Sequence, residues 1–458
     1  MRRREEESVE GQTGGTVSAV LGAFVARSGM PPDAQRHEGK RALLNAFGTA
    51  LGSARAPAVE QAARVMHSLS GPGRATLIGG RDRLRGAEAA FVNAIAMNLL
   101  DFDDTHLPTI IHPTSPVAPA ALALGEELGS TGAEVLDAFV LGAETACRIG
   151  NMVSPGHYAR GWHITSTCGT FGAAAAAAKL LGLSEGQTAH ALGIASSLAA
   201  GNVENLPTAG KNASVGSAAR NGILAAYLAR EGYEAAPAAL EGRLGWARTC
   251  GDVPDVGRAL AGLGQIWELS LNAIKLYPCG IVFHALIDAC LGLRQHHGFR
   301  PGEIERVVVK GDALFLARGD REVRTAGDSR VSLQHIATVA LLYGRAGIRE
   351  FEQSCVDAPD LAAFRAKVRG ELDASLPPGA AAVELNLTGG RTLSAVVEHA
   401  RGSIERPLSD RDIEEKGRGL TAWGGTGCDF DRVAELVWRL DELPDLSGLM
   451  KAASGVQG

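Results

Sequence analysis

Aromatic residues are scarce in this chain: Phe, Trp and Tyr supply 5% of its 458 residues. The apolar share, 45%, rests largely on alanine, and 58 glycines add to the small-residue content. Small residues let helix backbones approach closely, so tightly packed helices are expected rather than an aromatic-filled sandwich. No two of the seven cysteines (147, 168, 250, 279, 290, 355 and 428) form a CxxC pair. Their odd number and scatter argue against a disulfide framework or a structural zinc site. They read as small core residues in a reducing compartment. A basic stripe is missing too: the net charge is −6 with interspersed signs, which argues against a nucleic-acid surface. No apolar run has the length of a bilayer span, and the most apolar one, around residue 175, contains Lys179. The start, MRRREEESVEGQTGG, lacks the apolar stretch of a signal peptide and reads as a disordered tail over residues 1–15. A cytoplasmic protein without membrane or nucleic-acid partners is expected.

What is present is mostly helical pattern, from about residue 16 to 269. Thr131 with Glu134, and Ser184 with Gln187, have the spacing of capping boxes ahead of apolar-periodic runs. Between them GTFGAAAAAAKLLG is so poor in bulk that it should thread the middle of a helical bundle. Near residue 270 the character changes. EIERVVVK at 303–310 reads as a strand, and residues 382–399 as a hairpin turning at Gly389 and Gly390. Residues 332–343 and 360–370 look helical. Helix then returns, with Ser409 to Asp412 as a cap and an amphipathic run at 430–440. The expected fold is mainly α. A large all-helical domain (16–269) is completed by C-terminal helices (404–458), with a smaller α+β lid domain at 270–403.

The densest chemistry lies in LDFDDTHLPTIIHPTSPVAP, residues 100–119, where Asp101, Asp103, Asp104, Thr105, His106 and His112 crowd together. Burying carboxylates and imidazoles costs several kcal/mol, so the cluster needs a reason. It could cap helix ends, ligate a metal, or perform acid–base work on a small substrate. Spacing alone leaves all three open. Three later segments join it. GWHITS places His163 near a helix N-terminus, an end that favours anions. GKNASVG places Lys211 at another helix start, and KLYPCG places Lys275, Tyr277 and Cys279 at the domain change, with His284 just beyond. Each has a bland reading: a satisfied structural histidine, a solvated lysine, a packed His284. Cys279 has no nucleophile signature around it and reads as structural.

Taken together, LDFDDTH, GWHITS, GK with a downstream AARNG, AALEGR and KLYPCG resemble the MmgE/PrpD family, in order from roughly residue 16 to 440. That family includes 2-methylcitrate dehydratase, cis-aconitate decarboxylase and iminodisuccinate epimerase. The resemblance implies a helical domain with an α+β lid, a homodimer, and catalysis on a small di- or tricarboxylate without metal or organic cofactor. It also implies catalytic roles for Asp101, His112, His163, Lys211 and Lys275. Substrate contacts are implied for Thr105, with Asp104 and Tyr277 as further candidates. Lysines and histidines supply cationic donors for carboxylates, Asp101 can orient a histidine, and Thr105 can donate to a carboxylate oxygen. Each family reaction passes through a carbanion-like species next to a carboxylate, which needs a proton carrier and cationic stabilisation.

The chain departs from the family pattern in places. Gly280 stands where decarboxylase-like members have His, residues 315–318 offer no tyrosine, and His335 replaces a tyrosine. These weigh against a decarboxylase, and the GWH segment departs from the 2-methylcitrate dehydratases. A cofactor-independent, dehydratase-type lyase is the first expectation. Epimerisation of a dicarboxylate such as iminodisuccinate and decarboxylation of a cis-aconitate-type acid are its alternatives. A carboxylate-binding protein without activity, and a metal enzyme, stand as further classes.

Overall fold

Small residues set the packing. In the computed structural model, which describes residues 15–455, the alanine-rich run forms helix Ile164–Leu180, and its alanines at 173–178 are fully buried. Helix Gly132–Val153 lies against it, opened by the Thr131–Glu134 capping box. A Cβ at Gly142 would sit 2.6 Å from the Gly172 carbonyl oxygen, and one at Gly172 2.7 Å from that of Gly142. The two helices therefore touch backbone to backbone, a distance no larger residue permits. Helices Thr114–Leu128, Glu185–Leu198 and Ala209–Arg230 pack around the same central helix. The tail expected over residues 1–15 lies outside the described residues, Gly15 excepted.

The C-terminal helices Asp410–Gly424 and Phe430–Trp438 return to this bundle and pack on helix Asp33–Ser53. Phe430, Val433 and Val437 share one apolar core with Leu43, Phe47 and Phe139. The chain is thus mostly helical, its helical body built from both ends of the sequence. A second core runs from Tyr277 to Leu387, under a four-stranded sheet. The sheet order is Val368–Leu372, Ile304–Gly311, Ala381–Leu387, Thr392–Val397. Strands Ala381–Leu387 and Thr392–Val397 form the expected hairpin, with Gly389 and Gly390 both at positive φ in its turn. Among the described residues no helix is long and apolar enough to cross a membrane.

Two segments differ from the sequence reading. The helix expected over 360–370 ends at Arg365, and Val368–Leu372 is a strand parallel to Ile304–Gly311. Gly370 is a poor helix residue, and ladder hydrogen bonds with a buried neighbour outweigh local propensity there. Short ribbons also interrupt the all-helical part. One of them pairs Asp104–His106 antiparallel with Asn272–Ile274, Asp104 facing Ile274. This ribbon joins two segments 168 residues apart and positions the site.

Candidate active site

Helix Gly86–Asn98 stops just before the acidic cluster, and Asp101 then takes a left-handed backbone (φ 51°) that Asp tolerates better than most residues. The turn leads into strand Asp104–His106. Because Asn272–Ile274 pairs with that strand, the next residue, Lys275, arrives beside Asp101. Lys275 Nζ donates to both the carbonyl and Oδ1 of Asp101, each at 3.1 Å. Lys211, in the first turn of helix Ala209–Arg230, donates to the same Oδ1 at 3.1 Å. Two buried ammonium groups therefore share one carboxylate oxygen. Burial alone would push the Asp101 carboxyl up, but Lys211, Lys275 and His112 together hold it well below the usual range.

The two histidines are oriented by hydrogen bonds that define their tautomers. His112 Nδ1 donates to the Asp104 carbonyl at 2.7 Å, with Thr105 Oγ1 at 3.1 Å and Asp103 Oδ1 at 3.5 Å behind it. Its backbone N–H donates to Thr165 Oγ1, tying the cluster to the central helix. His163 is the residue before helix Ile164–Leu180. Ser214 Oγ donates to the Lys211 carbonyl at 2.7 Å, so the Ser166 hydroxyl must donate to Ser214, at 2.6 Å. Ser166 Oγ is then left to accept from His163 Nδ1, also at 2.6 Å. This network assigns the proton to Nδ1 of each ring and leaves each Nε2 with a free lone pair. Burial is the main cause that lowers both histidines, His163 well below the ordinary range.

These groups line one cavity of about 440 Å³. Asp101, Thr105, His112, His163, Lys211 and Lys275, six of the residues singled out in the sequence, all reach it. Two others do not. Asp104 is buried behind the wall, where Oδ2 accepts from Thr114 and Asn272 and burial pushes its carboxyl up to about 6. Alternation along the short strand explains the correction, since Thr105 faces the cavity while Asp104 and His106 face away. Tyr277 lies in the second core, where its hydroxyl donates to Asp288 Oδ1 at 2.5 Å and its ring meets His284. Neither fits a substrate contact. Asp103 and His106 are also behind the wall, held by Asn98 and Ser115 and by Glu268 and Thr109. The capping reading fails, because neither flanking helix takes a side-chain cap from this cluster.

The departures from the family pattern fall in different places. His335 is buried in the second core, its Nε2 donating to the Glu350 carbonyl and its Nδ1 accepting from Arg365. It has no part in the cavity wall. Gly280 does line the cavity. Cys279 is fully buried, and burial pushes its thiol up, as a structural cysteine requires. Four lining residues lacked any local signal in the sequence: Tyr158, Arg318, Arg321 and Arg330. Arg318 lies over the Tyr158 ring at 5.0 Å, linking the sheet-bearing part to the helical part. Lys416, from the C-terminal helix, donates to the carbonyls of Phe102 and Lys275 at 2.7 Å and so holds both arms of the site.

Asp101, Asp103 and His112 offer ligand atoms within 4.8 Å of one another, a spacing a metal ion could use. The two ammonium groups on Asp101 Oδ1 repel a cation at that place. Exhaustive chelation is accordingly expected to leave turnover unchanged. Activity that vanished with the chelator and returned with one divalent metal would reverse that assignment.

Residues 20–259 match the MmgE/PrpD N-terminal domain and residues 277–442 the MmgE/PrpD C-terminal domain. Similar proteins include a human cis-aconitate decarboxylase, 29% identical over 388 residues, covering 81% of this chain and 80% of the relative. A cis-aconitate decarboxylase of Aspergillus terreus is 28% identical, with 90% of each chain covered. A cis-aconitate decarboxylase-like protein of Aspergillus oryzae is also 28% identical, with 96% and 98% covered. With both of its parts matched in order, the chain belongs to the MmgE/PrpD family.

Proposed function

We propose that this protein is a polycarboxylate enzyme working without metal or organic cofactor, and that its reaction is decarboxylation of a cis-aconitate-type tricarboxylate. The observation that carries the substrate class is the charge of the cavity wall: among the described residues, five basic side chains, Lys211, Lys275, Arg318, Arg321 and Arg330, stand against the single carboxylate of Asp101. Two helices also begin at this wall, and their N-termini favour anions. The relatives named above support decarboxylation, which moves ahead of the dehydration read first from the sequence.

In this reading the carboxylate on the saturated carbon leaves as CO2. The electron pair of the broken C–C bond forms a new double bond to the central carbon. The pair of the old double bond moves to the carbon next to the second carboxylate, where a proton arrives. Lys211 and Lys275 stabilise the negative charge that develops on that carboxylate. His163 Nε2 carries the proton: burial first, then the neighbouring Lys211, lower it, and a bound trianion offsets the Lys211 charge and lets it protonate. The product is methylenesuccinate.

Dehydration keeps one specific observation in its favour, Gly280 in the wall where decarboxylase-like members carry His. Proton NMR of purified protein with cis-aconitate in deuterium oxide separates the two. The expected result is methylenesuccinate carrying one deuterium on its saturated carbon, with one CO2 released per turnover. Inert cis-aconitate together with water loss from 2-methylcitrate, or α-proton exchange in iminodisuccinate, would replace this reading with dehydration or epimerisation.

A further inference from the structure

Arg318, Arg321 and Arg330 enter the cavity wall from one short stretch of the sheet-bearing part. None of the three forms an ion pair with a carboxylate among the described residues. Arg318 instead rests on Tyr158. Arg330 Nη1 donates to the Leu99 carbonyl at 3.2 Å, and its Nε is buried without a hydrogen-bond partner among the described residues. The Arg321 Nε is likewise buried and unpartnered. A buried guanidinium with idle donors is costly unless an anion completes it. The nearby Asp101 does not do so: the ion pairs of its carboxylate with ammonium groups go to Lys211 and Lys275, both at Oδ1. The backbone carbonyl of Arg330 accepts from Gly280 N–H at 3.0 Å, which fixes the arginine to the turn that follows Lys275. Arg318, Arg321 and Arg330 line the same cavity as Lys211 and Lys275.

We propose that Arg330 is the specificity-determining residue of this cavity, pairing bidentately with a substrate carboxylate that the Lys211–Lys275 cluster does not hold. A tricarboxylate is thereby selected over the matching dicarboxylate. The guanidinium fork matches a carboxylate in a way an ammonium group does not. Because Arg330 belongs to the sheet-bearing part and Lys211 to the helical part, the selected acid bridges the two. The inference rests on the polycarboxylate reading above, and not on the decarboxylation step.

The test uses two unreactive acids: tricarballylate, with three carboxylates, and methylsuccinate, in which one carboxymethyl group is replaced by methyl. Affinities are measured by calorimetry for the full-length wild type, Arg330→Gln and Arg330→Lys, with thermal melts confirming folding. Wild type is expected to bind tricarballylate about a hundredfold more tightly than methylsuccinate. Arg330→Gln should lower tricarballylate affinity about fiftyfold and methylsuccinate affinity less than about threefold. Arg330→Lys should fall between, about tenfold down on tricarballylate, because charge is kept and the fork is lost. If Arg330→Gln does not fold, the Arg330→Lys selectivity decides. Equal losses for both acids, or no loss for either, overturn the assignment. Selectivity that depends on Arg330 without turnover of cis-aconitate upholds Arg330 and removes the decarboxylase reading alone. Turnover without Arg330-dependent selectivity does the reverse, and a wild type that binds neither acid and leaves cis-aconitate unchanged removes both.

Discussion

Asp101→Asn is expected to lower turnover, of cis-aconitate under the proposed reaction, by about a thousandfold. Asp101 Oδ1 is the shared acceptor of Lys211 and Lys275, both at 3.1 Å, so its charge is what lets two buried ammonium groups stand side by side. Asparagine keeps the shape and tolerates the left-handed backbone at φ 51°. The change therefore removes charge with little backbone disturbance. Without it the lysines repel each other and leave the geometry that stabilises the developing enolate-like charge. Breaking a buried pair from one side also costs about 3–5 kcal/mol of stability, so the melting temperature should fall. Adding Lys275→Met to Asp101→Asn removes the surplus positive charge and should recover most of that stability while turnover stays lost. Wild-type kcat in folded Asp101→Asn would show that the shared carboxylate has no part in the reaction.

His163→Gln should reduce kcat by about a hundredfold or more, with the melting temperature little changed. Gln can keep a contact to Ser166, so the packing around the start of helix Ile164–Leu180 survives while the proton carrier is lost. The pH dependence gives the sign. Burial first, then Lys211 and His112, hold His163 well below the ordinary histidine value of about 6.5, so near neutrality only a small fraction of the free enzyme is protonated. If the protonated form delivers the proton, kcat/KM must fall as pH rises above that lowered value, about tenfold per pH unit. His163→Gln should flatten this slope. A base role predicts the opposite: kcat/KM constant around neutrality and lost as pH drops through the lowered value. A structural His163 would instead show reduced melting temperature with kcat per folded molecule preserved.

Much of this molecule is legible from local pattern. The capping boxes at Thr131, Ser184 and Ser409 open helices as their spacing requires, and the hairpin turns at Gly389 and Gly390. Such features depend on a few neighbouring residues, whose side chains satisfy backbone groups within three or four positions. The alanine run could be placed in the bundle centre because nothing else in the chain offers so little bulk over so many turns. Asp101, Thr105, His112, His163, Lys211 and Lys275 were identified by motif order, and all six line the cavity.

Contacts between distant segments decided the rest. Whether Asp104 faced the cavity or the interior depended on strand alternation, and the strand exists only because residues 272–274 pair with it. Tyr277 follows Lys275 by two residues yet falls into the other core, where Asp288 holds its hydroxyl. Strand Val368–Leu372 formed because a parallel neighbour was available more than fifty residues upstream. The arginines at 318, 321 and 330 sit in a stretch without periodicity or motif, and only the docking of the sheet-bearing part brings them to the wall occupied by Lys211. Most of the helices, the hairpin and the reactive groups can be read from the chain alone, since they follow from short-range hydrogen bonding and side-chain chemistry. Which charges face one another across the cavity follows instead from long-range strand pairing and the docking of the sheet-bearing part on the helices.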